Sequence, residues 1–265
     1  MQVELQRIIL KHCPQDQVMR LAWESAAFRK ILQSPIVWIG RNVLLTDAVS
    51  VHVAKSLFKD YIDTVTLSDA DEKTLAMIRG FSQLANVTFS GNSWVSDDAL
   101  IAFLKNNGHN IQTLKLANCV NLTNKTILCL PWACPNLREL DISGNLFTSS
   151  ALLALTELPK LESLSASNCL LLPGEAWLTT IGCLPNLEKI DLSMNHWVSF
   201  NFLTMLLPMT SATSLNVCRC EDLTGYQVDR LRKTYPNITI KADPVLQDDS
   251  VESIRAYLLA IIRAH

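Results

Sequence analysis

Glycine and histidine are scarce in this sequence of 265 residues, which contains eight glycines and five histidines. Because the glycines are scattered, the sequence has no glycine-rich loop of the kind that cradles phosphate groups. It also shows no Ser-His-Asp or Cys-His neighbourhood for nucleophilic catalysis, and no Cys or His pairs at zinc-ligand spacing. We therefore expect a protein that is not an enzyme, with no catalytic residues, no metal site and no cofactor.

Unbalanced charge and long apolar runs are missing as well. The formal net charge is -2, and the thinly spread lysines and arginines do not form the basic surface that nucleic acids or anionic membranes need. No stretch of the sequence approaches the roughly 18 apolar residues of a membrane-spanning helix. We expect no nucleic-acid partner, no membrane insertion, and a location in the cytoplasm or nucleus. Four Asn-x-Thr sequons keep a secreted protein open as an alternative: Asn86, Asn121, Asn124 and Asn237.

A repeat of the form L-x-x-L-x-L-x-x-N/C fills most of the sequence. Seven segments follow it, with first residues 22 to 27 positions apart: Ile62, Leu84, Ile111, Leu137, Leu161, Leu187 and Ala212. Each segment predicts a short strand with alternate residues in the core, and the amphipathic stretch after it predicts a helix. A degraded eighth segment is expected near Ile238. One strand and one helix per repeat predict an α/β solenoid, a horseshoe with parallel strands on the concave face and helices on the convex face.

The ninth position of the repeat is Ala70 in the first segment and then alternates between two residue types. Its members are Asn92, Cys119, Asn145, Cys169, Asn195 and Cys220. Asparagine can bond to turning backbone, and cysteine is a small buried hydrophobe with a weak donor, so these cysteines have a structural explanation. With "CVNLT" at Cys119 and "CEDLT" at Cys220, the pattern resembles the cysteine-containing subclass of leucine-rich repeats.

The third, fifth and seventh repeat positions are expected on the concave face, opposite the buried ones. We interpret polar and charged residues there as candidates for binding a target protein: Lys115, Glu139, Asp141, Ser165, Lys189, Asp191 and Asn216. The seventh position is small in almost every repeat. Trp94, Phe147 and Trp197 share one position just after an asparagine and are expected in the core of the turn. A merely solvated concave face stays open as the alternative interpretation.

The N-terminal head, residues 1–42, follows a different pattern. Apolar residues recur at helical spacing in "ELQRIILKHC" (4–13) and "VMRLAWESAAFRKIL" (18–32), and "SPIVW" (34–38) follows. These stretches resemble an F-box, although Gln2, Cys13, Ser25 and Phe28 depart from its usual residues. The resemblance implies a three-helix head that binds an adaptor protein, and it assigns this contact to Glu4, Leu5, Ile9, Leu10, Leu21, Phe28, Pro35, Val37 and Trp38.

An F-box followed by cysteine-type repeats is the layout of the F-box leucine-rich-repeat family, the substrate receptors of Skp-cullin-F-box ubiquitin ligases. This resemblance implies that the head docks on a Skp-type adaptor, and through it on a cullin, while the repeats in 43–240 hold a protein substrate. Residues 241–265 predict a capping helix. Two alternatives remain open: a scaffold or assembly factor outside any ligase, whose N-terminal helices only cap the solenoid, and a bacterial F-box mimic that acts in a host.

Overall fold

The structure is a computed structural model that describes residues 6, 10–38, 40–46, 48–68 and 72–243. Within these ranges nine short strands form one parallel sheet in chain order. The strands are β1 (Asn42–Leu45), β2 (Thr64–Leu67), β3 (Asn86–Thr88), β4 (Thr113–Lys115), β5 (Glu139–Asp141), β6 (Ser163–Ser165), β7 (Lys189–Asp191), β8 (Ser214–Asn216) and β9 (Thr239–Lys241). Each strand pairs with the next in one constant register, so equivalent repeat positions lie side by side.

Helices follow the strands and pack against one another in sequence. The helices described before the sheet include α1 (Gln15–Glu24), α2 (Ala26–Leu32) and α3 (Pro35–Trp38). The others lie between or after strands: α4 (Ala48–Phe58), α5 (Glu72–Met77), α6 (Asp97–Asn107), α7 (Asn124–Ala133), α8 (Ser149–Leu155), α9 (Gly174–Gly182), α10 (Phe200–Leu206) and α11 (Gly225–Thr234). This alternation confirms the predicted α/β leucine-rich-repeat solenoid.

The core is a stack of equivalent residues. The fourth repeat position supplies one buried row, consisting of Val65, Val87, Leu114, Leu140, Leu164, Ile190 and Leu215. The sixth supplies a second, consisting of Leu67, Phe89, Leu116, Ile142, Ala166, Leu192 and Val217. Because side chains alternate along a strand, the third and fifth positions point to the opposite, solvent-facing side. Even a strand of only three residues therefore directs its middle side chain into the core and its two outer side chains toward the concave face.

The turns after β3 to β8 have a left-handed backbone at the eighth repeat position. Six residues at this position have a positive φ, between 52° and 79°: Gly91, Asn118, Gly144, Asn168, Met194 and Arg219. Glycine and asparagine tolerate this region, whereas for other residues it costs roughly 1–2 kcal/mol. The turn of Gly144 is also crowded, since a Cβ atom there would lie 2.0 Å from Asn118 Oδ1. The repeat therefore selects residues at this position by backbone geometry.

Both ends of the sheet add a strand to the seven repeat segments. At the N-terminal end, β1 precedes the first segment, and at the C-terminal end β9 is the strand of the degraded eighth segment expected near Ile238. The capping helix predicted for 241–265 lies outside the described residues from position 244 onward. At the edge of β9, the guanidinium of Arg232 donates to the carbonyl oxygen of Ile240 at 3.0 and 3.2 Å. A side chain therefore satisfies this outward-facing edge carbonyl.

Candidate functional site

The concave face carries the seven residues that the sequence analysis selected for target binding. The register of the sheet places Lys115, Asp141, Ser165, Asp191 and Asn216 in one row at the fifth repeat position. Glu139 and Lys189 lie at the third position, one row away, with Ser163 between them. The predicted residues therefore form one continuous strip across β4 to β8. Whether this strip binds a partner remains a prediction.

Three interactions organise the charges of this strip. Lys115 Nζ lies 3.0 Å from Glu139 Oε1, and both side chains remain about two-fifths exposed. Asp191 accepts from the hydroxyl of Ser193 at 2.6 Å and, through its second oxygen, from Asn216 Nδ2 at 2.8 Å. An exposed ion pair contributes little to stability, so Lys115 and Glu139 can exchange partners at low cost. Asp191 is in contrast held in a fixed orientation.

The two aspartates of the strip keep their charge unpaired. Asp141 Oδ1 accepts from the backbone N–H of Ser143 at 2.9 Å, and Asp191 Oδ1 accepts from that of Ser193 at 2.9 Å. Within the described part of the chain, no lysine or arginine forms an ion pair with either carboxylate. Each aspartate therefore presents a fixed negative charge that a cation from another molecule can approach.

The second repeat position adds charged residues that the sequence analysis did not select. Arg138 forms an ion pair with Glu162 of the next repeat. These two residues, together with Glu188, help to line a cavity of about 220 Å³ that also includes Glu139 and Lys189. The signal that could have identified them is charge at one exposed repeat position in three successive repeats. The polar strip is therefore wider than predicted.

An exposed apolar row borders the strip beyond the carboxyl ends of the strands. We call it the apolar rim, and it consists of Val120, Leu146, Leu170, Leu171 and Met194, which are between 43% and 56% exposed. Three of these residues occupy the tenth repeat position, directly after the buried ninth. Sequence reasoning missed the rim because the repeat template ends at the ninth position. Phe147, one residue further on, is fully buried as predicted, and Trp94 and Trp197 are partly buried.

Side chains of the ninth position fix the geometry of this surface. From the second segment onward, each donates to the carbonyl oxygen of the sixth residue in the preceding repeat, and we call these contacts the rungs. The asparagine rungs are Asn92 to Leu67 at 2.6 Å, Asn145 to Leu116 at 2.8 Å and Asn195 to Ala166 at 2.8 Å. The cysteine rungs are Cys119 to Phe89 at 3.3 Å, Cys169 to Ile142 at 3.6 Å and Cys220 to Leu192 at 3.4 Å. The predicted structural role of the alternation is confirmed.

The buried thiols are expected to be unreactive. Burial raises the pKa of the Cys119, Cys169 and Cys220 thiols to about 11, and that of Cys134 to about 12. These groups stay protonated at neutral pH, and only the thiolate is a strong nucleophile or metal ligand. In the ranges that the structure describes, no group of three or more His, Cys, Asp or Glu residues is placed to hold a metal ion.

The head packs against α4, the first helix of the solenoid, through Trp38. Its side chain is fully buried, its ring centroid lies 4.4 Å from that of Phe58 on α4, and Nε1 donates to the carbonyl oxygen of Leu32 at 2.6 Å. The side chains of Val18 and Val37 are also completely buried. Trp38 therefore joins the head to the first repeat within one apolar core.

Two polar side chains complete this junction. The amide of Gln15 pairs with the backbone of Leu44, since Nε2 donates to its carbonyl oxygen and Oε1 accepts from its N–H, both at 2.7 Å. This contact occupies the outer edge of β1, where a further strand would otherwise pair. Arg41 donates to the carbonyl oxygens of Leu10 and Cys13 at 2.5 and 3.0 Å. The sequence analysis identified neither Gln15 nor Arg41, because both act over about 30 residues.

The residues assigned to adaptor contact differ in their surroundings. Glu4, Leu5 and Ile9 lie outside the described residues. Pro35 is the first residue of α3. Leu10, Val37 and Trp38 are buried, so they expose almost no side-chain surface to a partner, whereas Leu21 and Phe28 are partly exposed. Ile36 was not selected, and it is 42% exposed. Any role of the buried residues in adaptor binding would be indirect, through the shape of the head.

Comparisons with known proteins concern the fold. No model of a known protein family matches the sequence. No curated protein matches it either. Similar solved structures include a chain of the Rad7 and Elc1 complex in yeast, which is 14% identical with a TM-score of 0.41 over 90% of this chain and 92% of that one. A chain of the TLR13–ssRNA13 complex is 15% identical with a TM-score of 0.53 over 76% of this chain and 32% of that one.

The comparison with the TLR13 chain shows the class of fold that the sheet and the rungs define. The protein is a leucine-rich-repeat solenoid, and the matched part corresponds to about a third of the longer TLR13 chain. Across the described ranges, no helix has both the length and the apolar character needed to cross a membrane.

Proposed function

We propose that this chain is the substrate-recognition subunit of a Skp-cullin-F-box ubiquitin ligase. In this proposal the head docks on a Skp-type adaptor, and through it on a cullin, while the concave strip of the solenoid binds the target protein. The chain itself performs no catalysis, because ubiquitin transfer belongs to other subunits. The site of action is the cytoplasm or the nucleus.

The observation that carries this proposal is the apolar surface that the head retains after docking on the solenoid. Its inner residues, such as Val18 and Trp38, are fully buried, and Trp38 packs against Phe58 at the junction. Leu21 and Phe28 are only partly covered, and Ile36 is 42% exposed. A unit of about 40 residues that only sealed a solenoid would need one apolar face, whereas an adaptor-binding head needs two. The F-box resemblance of the same residues supports an adaptor as the partner.

A specific set of contacts favours a second candidate, a protein-binding scaffold whose head is only a cap. The pairing of Gln15 with Leu44 and the burial of Trp38 against Phe58 are what a cap requires, since every solenoid must cover its first open edge. Both candidates share the target-binding concave face. They differ in whether the outer surface of the head has a partner.

Co-expression with a Skp-type adaptor tests the first candidate. We expect the two chains to copurify as a one-to-one complex, and we expect Phe28→Asp and Ile36→Asp to reduce adaptor recovery at least about tenfold, since buried charge disrupts an apolar interface. Leu153→Asp is the matched control, because Leu153 is 58% exposed but lies on α8, in the middle of the solenoid. Circular dichroism melts must show that the variants remain folded. A soluble, monodisperse wild-type chain that ignores the adaptor would assign the head to capping alone.

A further inference from the structure

The apolar rim and the polar strip lie side by side, and the small residues of the seventh repeat position separate them. Along the chain, Asp141 is followed by Ser143 and then by Leu146 of the rim. In the next repeat Ser165, Ser167 and Leu170 occupy the same positions, so the arrangement recurs one strand further on. Strands repeat at about 4.8 Å, which makes the rim a continuous row over adjacent repeats. The surface thus consists of an apolar row, a middle row of small residues and a charged row.

Unpaired charge on this surface is predominantly negative. In the four repeats that contain β4 to β7, the second, third and fifth positions hold the carboxylates Glu139, Asp141, Glu162, Glu188 and Asp191 and the cations Lys115, Arg138 and Lys189. Two of the cations are already paired, Lys115 with Glu139 and Arg138 with Glu162. Three carboxylates then face one remaining ammonium group. A cationic partner complements this excess, and a nucleic acid or an acidic peptide does not.

From this combination we infer that the surface binds a basic, amphipathic peptide segment of a partner protein. Its apolar side chains cover Leu146 and Leu170 of the rim, its backbone crosses the small residues, and its lysine or arginine side chains meet Asp141 and Asp191. Both aspartates are pre-oriented by hydrogen bonds from Ser143 and Ser193, so binding a cation does not require them to reorder.

Exposed apolar rows on the other side of the solenoid do not offer the same combination. Leu128 on α7 and Leu153 on α8 are 52% and 58% exposed, much like Leu146 and Leu170. They lie on helices, away from the strip of unpaired carboxylates at the fifth repeat position. This difference makes Leu128 and Leu153 the matched controls for a test of the rim.

The test is a selection of random twelve-residue peptides displayed on phage, performed on the full-length chain without an adaptor. We expect the selected peptides to combine large apolar residues with lysine or arginine. Binding of a fluorescent copy of the strongest peptide should weaken at least about tenfold in the double variant Leu146→Ser, Leu170→Ser, and it should be unchanged in Leu128→Ser, Leu153→Ser. Asp141→Asn keeps the oxygen that accepts from Ser143 and removes the charge, so about a threefold loss that shrinks in high salt is expected.

Several outcomes overturn the inference. Acidic peptides, peptides that bind the rim variant as well as the wild type, or no selectable peptide at all each contradict a basic amphipathic partner. Competition by a synthetic peptide of residues 244–265 would assign the surface to the chain's own C-terminal segment. A concentration-dependent dimer in sedimentation that the rim variant abolishes would assign it to a second copy.

The inference rests on the proposed function only in treating this partner as the ligase target. Adaptor copurification of the same rim variant separates the two statements, because Leu146 and Leu170 lie in the middle of the solenoid and not in the head. Retained adaptor recovery with lost peptide binding supports both. If the chain binds the peptide but never binds an adaptor, the peptide-binding surface is supported and only the ligase proposal is refuted.

Discussion

In the solenoid, the amides of Asn92, Asn145 and Asn195 each bond to a backbone carbonyl of the preceding repeat. In the described part of the head, the amide of Gln15 instead bonds forward in the chain, to the edge of the first strand. The chemistry is the same, since a side chain completes hydrogen bonds that very short strands leave open. The difference lies in redundancy: the loss of one rung leaves the other rungs in place, whereas the contacts of Gln15 and of Trp38 are not repeated among the described residues of the head. We therefore expect the junction to be the more sensitive region.

The largest effect is expected for Trp38→Ala at this junction. The substitution removes a fully buried indole, its contact with Phe58 and its hydrogen bond to Leu32, and truncations of this kind cost about 3–5 kcal/mol. Urea unfolding of the full chain measures the loss. Trp132→Ala on α7 is the matched control, because Trp132 is 57% exposed and the ammonium group of Lys105 lies over its ring. Equal losses for the two tryptophans would remove the distinction between junction and surface.

A smaller effect is expected for the rungs, and it should depend on residue type. Asn145→Ala removes one amide that donates to the carbonyl oxygens of Leu116 and Ile142 at 2.8 and 2.9 Å, which should cost about 2–3 kcal/mol because buried acceptors lose a partner. Cys169→Ala removes a weak thiol donor and should cost about 1 kcal/mol. Chemical denaturation of both variants provides the comparison. A cysteine rung as costly as an asparagine rung would mean that volume, rather than hydrogen bonding, determines the ninth position.

Periodicity explains why the solenoid could be predicted from sequence and the junction could not. In the repeats, each residue meets the equivalent residue of its neighbour, so the pattern of leucines, asparagines and cysteines contains the contacts themselves. The strands, the buried rows and the rungs follow from it. Gln15 and Arg41 instead contact partners about 30 residues away that no pattern marks. For the same reason Trp38 could be recognised as important, while its actual neighbour, Phe58, could not.

The candidate binding surface was predictable only in part, for a related reason. Charges at the third and fifth positions were found because these positions belong to the repeat template. The apolar rim was missed since its main residues, Val120, Leu146 and Leu170, lie at the tenth position, where the template imposes no residue type. Pairing could not be foreseen either, because it depends on side-chain geometry across strands, as in Lys115 with Glu139. The sequence did contain a signal for the rim, namely an apolar residue that recurs at the tenth repeat position without a role in the repeat template.

The smallest effect of the comparison concerns Gln15 itself. Gln15→Ala removes two hydrogen bonds to Leu44 but leaves the edge of β1 accessible to water, so we expect a loss of only about 1 kcal/mol in global stability. Hydrogen exchange should report more, because the Leu44 amide loses its acceptor and should exchange at least about tenfold faster, a change of about 1.4 kcal/mol in local opening. Gln17→Ala, an exposed glutamine two residues further along α1, is the control. Unchanged exchange at Leu44 would show that the buried side chains of the junction, rather than this amide, protect the first edge of the solenoid. The head and the rungs would then differ in their chemistry as well as in their redundancy.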